Sequence, residues 1–308
     1  MDIVALAGGV GGAKLVEGLQ RVVGENLSVV VNTGDDFDLH GLHIAPDLDT
    51  VMYTLAGMAN RETGWGIAGD TFHNLEMISQ YGGEDWFRLG DRDLATHLLR
   101  TQMLRGGATL TQATQNLAKA LGARAKIMPM CNERVSTIVN TNAGELAFQE
   151  YFVHRRWQPI LKSYRFHGIE KTRVTNEISN AIQNAHAIIF CPSNPFVSIE
   201  PILSVKGMRD VIQKARVPKI AVSPIVGGEA IKGPAAKMFQ ELGMDASAFQ
   251  VAKLLRGAVD RFVLDRVDEA QARAIKDLGM RVWVTDTIMR DEVGRERLAR
   301  EICEWVGR

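Results

Sequence analysis

Four glycines and a lysine stand where an apolar run gives way to a helical pattern: Ile3-Val4-Ala5-Leu6-Ala7-Gly8-Gly9-Val10-Gly11-Gly12-Ala13-Lys14. Side chains would keep backbone N–H groups from closing on an anion. Glycine here lets the amides of Gly9, Val10, Gly11 and Gly12 face a phosphate, with the positive end of the following helix, Ala13 to Val23, behind them. Lys14 adds a point charge to the same place. The pattern is not a full dinucleotide fingerprint, because Lys14 stands where the third glycine would fall. It is not a P-loop either, because Lys14 follows Ala13 and precedes Leu15. A phosphate-contacting strand-to-helix turn is expected, against a tight turn without a ligand and a solvated lysine.

A second chemical segment follows the next apolar run, Val29-Val30-Val31. Asp35, Asp36, Asp38, Asp47 and Asp49 fall within fifteen residues, a density that is repulsive unless cations or donors offset it. Mg²⁺, which takes one or two carboxylates with phosphate oxygens and water, would do so. Asp35, Asp36 and Asp49 are the candidates. Asp47 stands between a ligand role and a helix cap near Leu48, Asp38 suits a solvated loop, and His40 and His43 flank the segment as ligands or surface hydrogen-bonding residues. In Arg88-Leu89-Gly90-Asp91-Arg92-Asp93, Asp91 suits a helix cap while Arg88 and Arg92 suit a phosphate or carboxylate, with plain Arg–Asp pairing as the alternative.

Two later loops repeat the theme. Cys191-Pro192-Ser193-Asn194-Pro195 is stiffened by two prolines, which either holds Ser193 and Asn194 as preorganised contacts or merely stiffens a strand exit. After Ser223-Pro224-Ile225-Val226-Gly227-Gly228 comes Lys232-Gly233-Pro234-Ala235-Ala236-Lys237, a helix start between two lysines that again suits phosphate.

These loops need a scaffold that brings them together. Apolar runs at 3–7, 29–31, 187–190, 220–222, 261–264 and 281–284 alternate with helix-length segments. That is the signature of a parallel sheet covered by helices on both faces, an α/β Rossmann-like fold. The middle reads otherwise. Two helices are expected over 91–121, the first with Leu94, His97, Leu98, Thr101 and Leu104 inward, then strands Val135–Val139 and Leu146–Phe152 around Asn142-Ala143-Gly144. The division expected is a nucleotide-binding core of 1–60 and 176–308 and a smaller α+β insertion of 61–175. Loops at the carboxyl ends of the parallel strands then share one crevice.

Composition narrows the partners. Lys plus Arg and Asp plus Glu are both 36 in 308 residues, so no overall basic field favours nucleic acid. No stretch approaches a membrane span, and no basic segment precedes the first strand, so a cytoplasmic enzyme acting on small molecules is expected. Cys131, Cys191 and Cys303 lack metal spacing and read as reduced, buried thiols.

Taken in order, GGVGGAKL (8–15), the acidic segment 31–49, RLGDRD (88–93), FQEYFV (148–153), PSNPFVSIEPIL (192–203) and SPIVGGEAIKGPAAKM (223–238) resemble the CofD family of 2-phospho-L-lactate transferases of deazaflavin coenzyme F-420 biosynthesis. The resemblance implies transfer of a phospholactyl, phosphoenolpyruvyl or phosphoglyceryl group from a guanosine diphosphate-linked donor to the ribityl hydroxyl of the deazaflavin Fo, with GMP released, by a homodimer using Mg²⁺. It implies Asp35, Asp36 and Asp49 as metal and catalytic residues and Asp49, Arg88 and Asp91 at the Fo site. Gly9, Val10, Gly11, Gly12, Lys14, Ser193, Asn194 and Lys237 are the expected donor contacts. A non-catalytic sugar-nucleotide-binding regulator and an NAD(P)-dependent oxidoreductase are the competing readings. The acidic segment and RLGDRD favour the transferase.

Overall fold

Seven apolar runs set the frame: Ile3–Ala7 (β1), Leu27–Val31 (β2), Lys126–Pro129 (β3), Ala187–Phe190 (β4), Lys219–Val222 (β5), Arg261–Asp265 (β6) and Arg281–Thr285 (β7). The computed structural model, which describes residues 1–307, pairs them all in parallel in the order β3-β2-β1-β4-β5-β6-β7. All of β1 and β4 is buried, as expected of central strands covered on both faces. The winding reverses between β1 and β4, so the loops leaving their carboxyl ends diverge and open a crevice there. This is the α/β sheet that the sequence pattern implies.

Five helices matter to that crevice: Gly9–Val23 (α1), Pro46–Leu55 (α2), His73–Gln80 (α3), Asp91–Arg105 (α4) and Glu292–Val306 (α5). Leu15, Val16 and Leu19 of α1 share one apolar layer with Val51 and Met52 of α2 and Leu298, Ala299 and Ile302 of α5. Each such fully buried side chain contributes about 1.5–3 kcal/mol, which fixes α1 against the sheet. Helix α1 begins at Gly9 rather than at the expected Ala13. Gly9, with φ of 62°, turns the chain straight out of β1 into the helix, and tertiary contacts override the poor helix propensity of the glycines after it.

Helix α4 departs further from expectation. Its buried residues are Asp93, Thr96, His97, Arg100 and Thr101, while Leu98 and Leu99 are 51% and 52% exposed. Leu98 was expected inward because its spacing fits a stripe. The stripe actually chosen, one position earlier, is polar and finds partners on α2 and the hairpin Phe37–Leu39/Leu42–Ile44.

Between β3 and β4 stands a three-stranded antiparallel sheet with Ser136–Thr141 at its centre, flanked by Gly144–Ala147 and Leu161–His167. The strand expected to reach Phe152 stops at Ala147. Glu150–His154 is instead one wide helical turn, closed by the Arg155 N–H on the Glu150 carbonyl at 2.8 Å. The aromatics at 148, 151 and 152 have helical spacing, and that periodicity wins. Strand β3 lies inside 61–175 yet joins the main sheet as an edge strand. It was not recognised because it is four residues long and ends in proline, which an edge tolerates.

Candidate functional site

A cavity of about 980 Å³ opens where β1 and β4 part. On one side it is lined by Gly8, Gly9, Val10, Gly11 and Lys14 from the β1–α1 turn, with Ser193 and Asn194 from the loop after β4. The two loops are tied together. Ser193 Oγ accepts from the Gly8 N–H at 3.1 Å and donates to the Gly8 carbonyl at 2.8 Å. Asn194 uses its side-chain carbonyl to cap the N–H groups of Phe196 and Val197 at 3.0 and 3.4 Å. Both residues border the cavity but spend these groups on shaping it. Gly12 does not line the cavity, contrary to expectation. A Cβ there would fall 2.5 Å from Ser193 Oγ, so this glycine serves the packing of the two loops.

Lys14 reaches the cavity half-buried, its ammonium 3.5 Å from the Met289 carbonyl. Burial, then Arg295 and Lys232, push its pKa below the usual lysine value. An anion placed beside it would reverse that strain on its charged form.

Against the glycine turn lies a buried acidic floor. Asp47, on α2, neither points to solvent nor caps its own helix. Its Oδ1 accepts the Gly9 N–H at 2.8 Å and its Oδ2 accepts Asn32 Nδ2 at 2.9 Å, so it holds the start of α1. Asn32 also reaches Asp35 Oδ2 at 3.2 Å. Burial raises the pKa of Asp47 to about 6, against the hydrogen bonds from Asn32 and Gly9. Burial and the neighbouring Asp47 raise that of Asp35 well above the carboxylate range. Asp36 is buried too but does not line the cavity. Its Oδ2 meets His43 Nε2 at 3.0 Å, and burial still raises its pKa despite that partner.

Asp49 is held differently. Arg100, 1% exposed, forks onto it, with Nη1 at 3.1 Å from Oδ2 and Nη2 on Oδ1. His97 lies between, its Nδ1 3.6 Å from Asp49 Oδ2 and its Nε2 3.3 Å from Asp93 Oδ1. Tyr53 donates to Asp93 Oδ1 at 2.6 Å. Burial opposes ionisation of Asp93, but His97, Tyr53 and Arg100 outweigh it and its pKa falls; burial and both aspartates raise that of Tyr53.

The rim is aromatic and cationic. Trp86 stacks on His154 with centroids 5.2 Å apart and planes 8° apart, and Phe148, Phe152 and Trp157 stack in series at 5.5 and 5.2 Å. Arg88 lies 4.3 Å over the Phe72 ring, and among the described residues neither Arg88 nor Arg156 forms an ion pair. Arg156 and Trp157 both have left-handed backbones, φ of 50° and 46°, a costly pair of conformations for such side chains. Lys232 donates to the Thr63 carbonyl at 2.8 Å and also lines the cavity.

Besides Gly12 and Asp36, two more expected ligand residues lie outside the cavity. Lys237 is not part of the cavity wall: its ammonium sits 2.6 Å from Glu241 one turn on in the helix Ala235–Glu241 and donates to the Pro159 carbonyl at 3.0 Å, a tie between that helix and a loop. The lysine five residues earlier takes the cavity position. Asp91 is also outside. It accepts from Thr71 Oγ1 and from the backbone and side chain of Asn74 and the backbone of His73, so it caps α3, and these bonds lower its pKa. The start of α4, which Asp91 was expected to cap, is held by Asp70 through the N–H groups of Arg92 and Asp93 at 2.8 and 3.0 Å.

Mg²⁺ fits part of the expected set. Asp35 Oδ1 is buried without a hydrogen-bond partner, and Asp35, Asp47 and Asp49 line one wall. One or two such carboxylates beside a diphosphate suit this ion. A different trio, Asp49, Asp93 and His97, also brings three ligand atoms within 4.8 Å, but Arg100 already engages both oxygens of Asp49 there. The sequence reading passed over Tyr53, Asp93, His97 and Arg100 as a group, and the aromatics Trp65, Trp86, Phe152 and Trp157. The polar stripe of α4 was the available signal for the first group.

Comparison with known proteins follows this geometry. Residues 3–302 match the family model of 2-phospho-L-lactate transferase CofD. The chain is 39% identical over 305 residues to a protein of Methanosarcina acetivorans named 2-phospho-L-lactate transferase, covering 99% of this chain and 97% of the relative. It is 40% identical over 311 residues to a protein of Streptomyces griseus named phosphoenolpyruvate transferase, covering 99% and 98%. Among solved structures, a UPF0052-family protein from Bacillus halodurans superposes over 98% of both chains with a TM-score of 0.65 at 15% identity, a likeness of fold.

Proposed function

Because the chain belongs to the 2-phospho-L-lactate transferase (CofD) family, and is a transferase, we propose that it moves a phosphorylated three-carbon acid from a guanosine diphosphate-linked donor to the ribityl hydroxyl of Fo, releasing GMP. The observation that carries this reading is a single cavity of about 980 Å³ that brings the glycine end of α1, Lys14 and the buried carboxylates onto one space. Its size is at the upper end for small-molecule sites, room for a nucleotide and a flat ring system together.

The chemistry is displacement at phosphorus. The ribityl oxygen forms a bond to the phosphorus bearing the acid, the bond from that phosphorus to the bridging oxygen breaks, and GMP leaves with that oxygen and its charge. Such a transfer depends on positioning and charge neutralisation more than on covalent catalysis. The amides of Val10 and Gly11 and the Lys14 ammonium take the diphosphate, while the Gly9 N–H stays with Asp47. Asp49 orients the hydroxyl and accepts its proton. Arg88 and the rim aromatics, with Trp86 foremost, flank the deazaflavin ring, for which flat side chains are suited. Mg²⁺, when bound, would be held by Asp35, whose Oδ1 has no hydrogen-bond partner, and would supply further charge neutralisation on the diphosphate.

The same reading carries a cytoplasmic homodimer; no helix among the described residues is long and apolar enough to cross a membrane. The two kinds of curated relative are equally similar, so the assay offers both phospholactyl and phosphoenolpyruvyl donors with Fo and measures GMP. GMP formed in proportion to a phosphorylated deazaflavin product, and abolished by chelation and restored by Mg²⁺, is the expected result. No binding of Fo, or turnover unchanged by chelator, would refute the acceptor and the metal respectively.

A further inference from the structure

Helix α4 buries its ions and exposes its leucines. With Leu98 and Leu99 half in solvent, the same helix places Asp93, Thr96, His97, Arg100 and Thr101 inside. Taking an arginine, a histidine and two aspartates out of water is expensive, and an apolar set of similar volume is often at least as stable. The arrangement therefore calls for a reason other than stability. Its geometry supplies one. The residues at 93, 97 and 100, spaced by four and three, face Asp49 and Tyr53 of α2, which are themselves spaced by four, so one face of each helix is laced to the other.

Asp49 takes the strongest part of that lacing. Arg100 offers both Nη atoms to its two oxygens, a fork that fixes the plane of the carboxylate as a single ammonium cannot. His97 stands against Oδ2 at 3.6 Å and against Arg100 Nη1 at 3.3 Å. Asp93 holds the far side of His97, and Tyr53 holds Asp93. Arg100 does not border the cavity, whereas Asp49 and His97, both in contact with it, do, so Arg100 acts on a substrate only through them, and its fork is on Asp49.

We infer that Arg100 is a positioning residue: it holds the Asp49 carboxylate at the angle required for the acceptor hydroxyl, with His97, Asp93 and Tyr53 bracing the pair. This rests on the proposal that Asp49 is the carboxylate at the reacting end of the site. Misplacing a reacting group by an ångström costs up to about a hundredfold in rate without a corresponding loss of binding. The role therefore separates rate from affinity.

The test is a cycle of Asp49→Asn, Arg100→Lys, Arg100→Met and the double variant Asp49→Asn/Arg100→Met, in the full chain. Steady-state kinetics, Fo and GDP titrations by calorimetry, and melting temperature are read on each. Arg100→Lys keeps the charge and loses the fork. It is expected to lower kcat by about ten- to a hundredfold while KM and both dissociation constants stay within about twofold. The double variant is expected to be no slower than Asp49→Asn alone, because residues acting as one unit are not additive. Should Arg100→Met fold poorly, the replacement of both Asp49 and Arg100 by leucine recovers the lost melting temperature if the pair is not there for stability. Normal kcat in Arg100→Lys with a slow Asp49→Asn, or a double variant whose defects multiply, would overturn the positioning role alone. Normal kcat in Asp49→Asn would overturn the reading of the site, and the positioning role with it.

Discussion

The two sides of the cavity use charge in opposite ways. On the floor, Asp35, Asp47 and Asp49 are buried, and Asp47 and Asp49 are committed to other protein groups, a backbone N–H and an arginine fork. At the rim, Arg88, Arg156 and Lys232 are exposed, and none of them forms an ion pair among the described residues. The floor is rigid and desolvated, so a change there alters geometry and protonation. Exposed cations at the rim act through screened attraction, and a change there alters capture of anions. Under the proposed function, reaction and anion capture would fall to different walls of one space.

The largest effect belongs to the floor. Asp49→Ala is expected to cut kcat by at least about a hundredfold with substrate affinities little changed, the scale for loss of a principal acid–base or electrostatic group. Steady-state kinetics with both substrates saturating tests it, and a near-normal kcat would move the chemistry off the floor. Next comes the anion side: Lys14→Met is expected to weaken GDP binding about tenfold while Fo binding holds, since a point charge on phosphate contributes locally. Calorimetric titration of each ligand separates this from misfolding, which would weaken both.

A subtler contrast lies in pH. The folded-state pKa of Asp47, about 6, lies above the ordinary aspartate value of 3.8, so between these values the folded protein holds more protons than the unfolded chain. By linkage, this group makes stability fall as pH rises from 3.8 through about 6. Asp47→Asn should flatten that part of the stability profile, measured by urea denaturation at pH 4.5 and pH 7 in matched salt. Unchanged curvature would mean that the floor is better hydrated than its burial indicates. The smallest effect is expected at Lys237, whose partners lie outside the cavity: Lys237→Met should shift GDP affinity by less than about twofold, as calorimetry would show.

Sequence legibility followed the same divide. Six of the seven strands of the sheet and the glycine turn were readable because each is a contiguous pattern, a buried apolar run or a set of backbone positions only glycine fills easily. Asp35 and Asp49 were readable because they crowd one short segment. Arg100 and His97 were not, since their meaning depends on which face α4 turns to α2, and its apolar periodicity points to the wrong one. Lys237 and Asp91 were misassigned for a related reason. A lysine near a helix start suits phosphate and a neighbouring carboxylate alike, and an aspartate at a helix start can cap a helix that lies earlier in the chain. The aromatic rim came from segments about sixty residues apart, 86–88 and 148–157, that sequence spacing does not connect.

The hydrogen bonds between Gly8 and Ser193 join residues 185 positions apart. The cost of closing so long a loop falls due before any of its contacts repay it, which makes such pairings late events in folding. During synthesis the β1–α1 turn leaves the ribosome long before Ser193 exists, and it lacks the hydroxyl that fixes Gly8. On the proposed function, nucleotide capture waits until β4 has docked beside β1, so that tight GDP binding during refolding is expected to report the closing of the sheet's centre, not the early formation of its first strand.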